Sequence, residues 1–330
     1  MSRKPQRPGV APPRLIGGLA VAALLAFALS LAIGPSGFGL GGAGEAADLI
    51  FWEIRMPRAV LGALVGAALG LSGAALQGYL RNPLADPGTL GVSSMAAFGA
   101  VLSIFFGFAD LHPWILPLSG VGGAIAGMAA LFLLAGMAAS ALTLVLSGVI
   151  LSAIAVAGIA LVLSLSPSPW AAGEIVRWLL GALADRSLDD LIISTPLIVI
   201  GAALILTSRQ ALDALTLGEI GARSLGIDLG RAQWLLAGGV GLVVGASVAV
   251  SGIIGFVGLV VPHLLRPLIG AKPSSLLVPS AAGGAALVLA GNVVVRLLPG
   301  GSEVQLGVVM SLIGAPFFFA LLYSMRRQVT

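Results

Sequence analysis

The chain has 330 residues, 58% of them hydrophobic and only 9% charged, with a formal net charge of +4. Average soluble domains carry roughly 45–50% apolar and about 25% charged residues, so this composition excludes a soluble globule and leaves lipid against most of the surface. The absence of cysteine excludes disulfides, thiol chemistry and cysteine metal sites.

Apolar runs long enough to cross a hydrocarbon core of about 30 Å recur about ten times, at about 14–34, 58–80, 91–108, 115–137, 142–166, 190–207, 231–252, 255–270, 275–297 and 304–325. Residues 1–13 form a tail. The first span follows Arg3, Lys4, Arg7 and Arg14, as a secretory signal would, but it exceeds the roughly 7–15 apolar residues of such a core and is read as retained. The second span opens on Arg55 and Arg58 and ends at an Asn82-Pro83-Leu84 turn. Within it Gly62, Gly66 and Gly70 recur every four residues, with Gly73 close by, and Gly123/Gly127 and Gly241/Gly245 repeat the step later. Small residues at this spacing let helix backbones approach closely, here within one subunit. Spans 91–108 and 255–270 are short, so tilt or burial against other helices must complete them.

Two motifs imitate enzyme sites. Gly70-Leu71-Ser72-Gly73 matches the Gly-x-Ser-Gly of rhomboid-type intramembrane proteases, which need a histidine at the serine; the only histidines are His112 and His263, in a loop and near a helix end. Asp189-Asp190 resembles half of a metal-binding prenyltransferase motif, but no second acidic cluster follows, and a solvated helix start is the reading. No Walker sequence occurs, so nucleotide phosphates are not cradled by that route.

After the sixth span comes SRQALDALTLGEIGARSLGIDLGR, from Ser208 to Arg231. Within it Leu217, Ala222 and Leu225 form the apolar stripe of a short helix, and its mixed charges, Glu219, Arg223 and Asp228, suit a protein groove better than anionic lipid. An internal repeat is also visible: Val65-Gly66-Ala67 with Ser72-Gly73 returns as Val244-Gly245-Ala246 with Ser251-Gly252, preceded by Arg58-Ala59 and Arg231-Ala232. Five spans separate the copies, so they cross in opposite directions, the pattern of an inverted-topology repeat.

Charge sets the orientation. With the N-terminus inside, twelve of the 17 basic residues fall on the inner side, while nine of the 13 acids fall outside. Positive residues favour the cytoplasmic side, which puts both termini there. No basic cluster of the kind that marks a nucleic-acid footprint is present. No Asp, Glu, Lys or His lies in the middle of a span, whereas proton-driven pumps carry such groups along their ion path. Energy is expected to come from elsewhere; sodium coupling through carbonyls and hydroxyls stays open.

Four segments in order, Arg55 to Ser94, LGEIGARSLG, GFVGLVVPHLLRPLIG at 255–270 and VQLGVVMSLIGAPFFF at 304–319, resemble the FecCD-type permease of type II ATP-binding-cassette importers for iron-siderophores, haem and cobalamin. The resemblance spans about residues 14 to 326 and implies an all-α integral membrane protein with about ten transmembrane helices in two inverted-topology halves. It implies one permease domain, 14–326, with a coupling loop at about 208–230, in the bacterial inner membrane. The implied partners are a second copy (a homodimer), two cytosolic ATPase subunits and a periplasmic substrate-binding protein. ATP and Mg are used by the ATPase, and this chain binds no cofactor or metal and catalyses nothing.

By position, Arg55, Arg58 and Arg296 match the family's basic residues that receive acidic side chains of the binding protein; long cationic side chains at helix ends also serve as anchors. Asn82, Pro83 and Leu84 match the family's cytoplasmic gate, and a tight turn without gating is the plainer reading. Leu217, Gly218, Glu219, Ala222, Leu225 and Gly226 match the helix that couples to the ATPase. Segment 172–184 resembles a short outer helix whose Trp178 either touches ligand or sits at the interface. Siderophore, haem and cobalamin importers share these motifs, and the commonest cargo, iron-siderophore, is the expectation. An ion-coupled carrier and a passive channel or structural subunit are the alternatives from other classes.

Overall fold

The computed structural model describes residues 12–34, 37–38, 48–136, 141–270, 272–298 and 304–329. The tail expected over 1–13 lies, up to residue 11, outside them. Thirteen α-helices are labelled here among the described residues. Ten match the expected spans: α1 (Pro12–Ala32), α2 (Met56–Tyr79), α3 (Val92–Phe105), α4 (Ile115–Ala135), α5 (Ala141–Ser164), α7 (Leu188–Thr207), α10 (Leu229–Ser251), α11 (Val257–Ile269), α12 (Pro273–Leu297) and α13 (Leu306–Val329). The others are short: α6 (Pro169–Leu179), α8 (Arg209–Ala214) and α9 (Gly218–Ser224). A two-residue antiparallel pair, β1 (Ile33–Gly34) and β2 (Gly37–Phe38), follows α1. Seven helices are long and apolar enough to cross a membrane, and α3, α11 and the described part of α13 are shorter apolar ones.

Local signals start the helices as elementary chemistry requires. A π-helical turn, Ile50–Arg55, runs directly into α2, and Pro57 just past the join takes one amide donor out of that continuous helix, as a break in regular winding tolerates. Ser168 caps α6 by accepting from Ala171 N, and Ser187 and Asp190 form a capping box on α7. Asp228 caps α10 through Arg231 N.

Helices α2 and α10 form the centre: 78% of the apolar window of each is buried, against 11% in α1. The glycine ladder explains the packing. Gly66 lies on the Gly284 backbone and Gly70 on that of Ser280, while Gly62 meets Leu289 and Gly78 meets Pro273, so α2 and α12 run antiparallel with backbones in contact. Gly99 and Gly123 join α3 to α4, and Gly241 and Gly245 join α10 to α4. Apolar burial gives no drive between helices in lipid, so close approach and dispersion must hold them. The step read from the sequence as packing within one subunit is found in that role.

Helix α11 is short because it starts inside the helical bundle: Gly258, in its first turn, packs on Gly73, well short of the Tyr79 end of α2. Burial against neighbouring helices therefore completes this span. Ahead of it, residues 252–256 leave helical geometry, with Gly252 and Phe256 at positive φ of 66° and 67°. Three chain segments meet there: Ala182 N donates to Ser251 O (2.8 Å) and Gly307 N to Gly181 O (3.0 Å). Irregular backbone is tolerated at membrane depth only where protein satisfies its polar groups. The two copies of the repeat run oppositely, since Tyr79, which ends α2, packs with Leu229, which begins α10.

A Cβ at Gly66 would collide with the Gly284 carbonyl, whereas one at Gly122 meets nothing within 4 Å. Gly66→Ala should lower detergent-phase stability by about 1–3 kcal/mol, and Gly122→Ala should leave the melting temperature unchanged. Equal melting of the two variants would show that the backbone contact carries no packing energy.

Candidate functional site

At one end of the α2–α12 pair the three expected docking arginines converge on the C-terminus of α1. Arg55 Nη1 donates to Leu31 O (3.0 Å), and Arg296 Nη1 donates to Ser30 O (2.8 Å) and Ile33 O (2.6 Å). Arg58 Nε donates to Asn292 Oδ1 (2.9 Å), whose amide donates to Ser30 Oγ (3.2 Å). The last carbonyls of a helix lack intrahelical partners and carry the negative end of its dipole, so cationic donors are well matched there. Arg55 and Arg58 are only 6% and 7% exposed, and Arg296 is half-buried. These hydrogen bonds run inward, and in this single chain they give the arginines an anchoring role that ties α1, α2 and α12 together. Ser30 and Asn292 complete the network, and sequence reading missed both. Asn292 is the only amide side chain in the α12 sequence, which was the available signal.

At the opposite end α2 stops at Tyr79, and Arg81 takes a left-handed φ of 49°. Asn82 Oδ1 accepts from Leu84 N (3.0 Å), and Asn82 O accepts from Ala85 N (3.2 Å), so Asn82, Pro83 and Leu84 form a side-chain-braced turn, all three half-buried. Two residues on, Asp86 is buried, a residue that sequence reading passed over. Its Oδ2 accepts from Gly88 N (2.9 Å) and its amide donates to Thr89 Oγ1 (3.0 Å). Loss of hydration on burial raises its pKa to about 6 against the pull of these backbone bonds. The carboxylate sits against Gly258 in the first turn of α11 and borders a cavity of about 150 Å³ shared with Phe256, Leu259 and Phe318.

Beside this turn the coupling segment folds as α8, a 3₁₀ turn at Leu215–Leu217 and α9. Gly218 and Gly226 bracket α9 at φ of 84° and 78°, and Glu219 lies in its first turn. Ala222 is fully buried with Ala214 and Leu215 beneath Tyr79, Ile227 and Leu229. The expected stripe of Leu217, Ala222 and Leu225 therefore divides: Ala222 faces the protein, while Leu217 (67% exposed), Leu225 (63%) and Ile220 (85%) face outward. Ile220 was missed because a helix of only seven residues is too short to show a long-helix periodicity. Asp213 pins the segment to the start of α12, accepting from Ser274 N (2.9 Å) and Oγ (2.7 Å) and facing Lys272 Nζ (3.4 Å).

The enzyme-like motifs resolve as structure. Ser72 Oγ is fully buried and donates to Leu69 O (2.9 Å) within its own helix. Asp190 serves the capping box, and Arg186 lies 4.0 Å from it. No group of three or more potential metal ligands occurs among the described residues. Trp178 is half-buried against the small cluster around Ile175.

The sequence model of the FecCD transport family matches residues 18–324. An uncharacterised ABC transporter permease protein of Bacillus subtilis (strain 168) is 39% identical over 84% of this chain and 80% of its own length. The vitamin B12 import system permease protein of Shigella boydii is 36% identical over 99% of both chains. The cobalamin import system permease protein of Halobacterium salinarum is 38% identical over 94% of this chain and 81% of its own. A solved structure described as an inward-facing conformation of an ABC transporter assigned to the metal-chelate type superposes with a TM-score of 0.85 at 34% identity, covering 94% of this chain and 99% of that one.

Asn292→Leu removes the acceptor from Arg58 Nε and should cost about 1–3 kcal/mol in thermal unfolding; an unchanged midpoint would strip the network of its anchoring role. Asp86 is held protonated more readily in the folded chain than unfolded, where its pKa is about 4. Folding stability should accordingly fall as pH rises from about 4 through about 6. Melting curves across that window should show Asp86→Asn gaining on the unaltered chain and levelling off above it. Parallel curves would mean that Asp86 is not the titrating group.

Proposed function

Because this chain belongs to the FecCD transport family, we propose that it is the membrane permease subunit of an ATP-driven importer that moves a bulky metal chelate from the periplasmic to the cytoplasmic side. The carrying observation is the outward-facing triad of Ile220 on α9 and Leu217 and Leu225 at its two ends, in a segment clamped to the rest of the fold through Asp213 and Ala222. Three large apolar side chains displayed on and at the ends of a braced seven-residue helix fit insertion into a groove of another protein. A helix fixed to the ends of α2 and α12 can also transmit displacement to them. In this reading the partner is a cytosolic ATPase, one for each of two copies of the chain.

The arginine end then faces the periplasm and receives a substrate-binding protein, and both termini are cytoplasmic, as the charge distribution favours. Arg296 is exposed enough to meet an acidic docking residue, while Arg55 and Arg58 fix the shape of the rim that it meets. The Asn82–Leu84 turn lies at the cytoplasmic mouth as the gate. Helices such as α5 and α7, with large exposed apolar side chains along their length, meet lipid or the second copy.

Iron-siderophore is the cargo by commonness among importers of this kind. The relatives whose names give a cargo carry cobalamin, which makes the corrin the first chelate to try. The chain reconstituted in proteoliposomes with its ATPase and binding protein should accumulate one of cobalamin, haem or ferric siderophore only when ATP is supplied. Accumulation driven by an ion gradient without ATPase would overturn the reading in favour of a secondary carrier. Ile220→Asp with Leu225→Asp should cut ATP-driven uptake at least tenfold while the chain still melts normally; undiminished uptake would remove the triad from the coupling path.

A further inference from the structure

A cleft of about 290 Å³ opens between the gate turn and the coupling segment, lined among others by Gln77, Arg81, Thr216, Arg266, Pro273 and Leu276. Two of its lining residues are arginines, and none is an acid. Arg266, half-buried in the last turn of α11, gives Nη2 to Gln77 Oε1 (2.7 Å), a neutral acceptor that leaves its charge uncompensated. Gln77 is itself buried, and its amide donates to Gly258 O (3.1 Å) at the other end of α11. Asp213 on the same face is engaged by Ser274 and Lys272 and does not line the cleft. Arg81 is exposed at the mouth in its left-handed conformation.

Two cationic forks lining one recess make a seat for an oxyanion, since guanidinium matches carboxylate geometry in two-point hydrogen bonding, while the Thr216 hydroxyl and the Gln77 amide are engaged with Asp213 O (2.6 Å) and Gly258 O (3.1 Å). We infer that this cleft receives an acidic side chain of the cytosolic ATPase, forming a second, polar contact beside the apolar triad. The inference rests on the proposed coupling role. Position favours a protein carboxylate over a lipid phosphate: exposed Thr216 immediately precedes exposed Leu217, so the seat is continuous with the triad's surface.

The consequence is a direct path from partner to gate. Arg266 is tied through Gln77 to both α2 and the beginning of α11, and Arg81 adjoins the Asn82 turn. A carboxylate drawn between the two guanidinium groups pulls on both elements at once, which a purely apolar contact on α9 cannot do.

The test uses the complex in nanodiscs, with ATPase affinity measured at low and high salt. Arg81→Gln and Arg266→Gln should each weaken association about tenfold and flatten its salt dependence, and Arg81→Lys should restore part of both. Leu217→Ser with Ile220→Ser and Leu225→Ser should weaken binding at every salt concentration while leaving the salt slope in place. Arg81 is exposed outside any helix, so Arg81→Gln reads the seat even where Arg266→Gln fails to fold. Unchanged affinity and salt slope in Arg81→Gln overturn the inference and leave the coupling reading standing; no ATPase binding by the unaltered chain overturns both. A melting temperature raised by phosphatidylglycerol in the unaltered chain but not in Arg81→Gln, with ATPase affinity equal in the two, would assign the seat to lipid phosphate instead.

Discussion

Helices α2 and α12 lie backbone against backbone because Gly66, Gly70 and Gly284 put no side chain between them. Every feature with a functional reading hangs from this pair. At one end α12 supplies Asn292 and Arg296 and α2 supplies Arg58, and together they secure the end of α1. At the other, α12 supplies Ser274, which holds the coupling segment through Asp213, and α2 runs out into the Asn82 turn. Because the two helices touch along most of their length, displacement at one end has little room to be absorbed before it reaches the other.

Polar groups are spent sparingly and in the same manner throughout. Among the described residues a few buried side chains join elements, Asn292 between Arg58 and Ser30, Gln77 between Arg266 and Gly258, Asp86 beneath its own turn, while serines such as Ser72, Ser194 and Ser247 bond carbonyls of their own helices. An unsatisfied polar group in lipid costs several kcal/mol, and Asn292, Gln77 and Asp86 each have a partner. This accounts for how 9% charged residues suffice: charge is kept for the two ends and the centre is left to glycine and alkyl packing.

The spans and the glycine ladder were legible because they are local and periodic; one needs only runs of about 20 apolar residues and the other a step of four. The capping box at Ser187 and the half-length α11 could likewise be read from Asp189-Asp190 and a short apolar run. The arginine clasp could not, since Arg58 meets a partner 234 positions away and Asn292 one 262 positions away, and a single sequence carries no sign of such pairing. Arginines at a helix mouth look the same whether they turn outward or inward. Asp86 was passed over because an acid after Pro83 reads as a solvated loop residue, and only the packing of α11 onto that loop buries it. Within the coupling helix, the sequence identified the segment but not its faces, because Ala222 is drawn inward by Tyr79 and Leu229 from two other helices.

The junction of Gly181, Ser251 and Gly307, where α10 ends and α13 begins, is built from main-chain amides and carbonyls. Peptide dipoles neither gain nor lose protons over the physiological range, and they draw no counter-ions. The strength of that junction is therefore indifferent to acidity and ionic strength on either face, while the arginine clasp and the Asp213 clasp, which hold formal charges, feel ionic strength. The molecule thus has charged clasps that register the salt around them and a main-chain junction that does not, so raised ionic strength can weaken the clasps while α10 and α13 stay joined at Gly181.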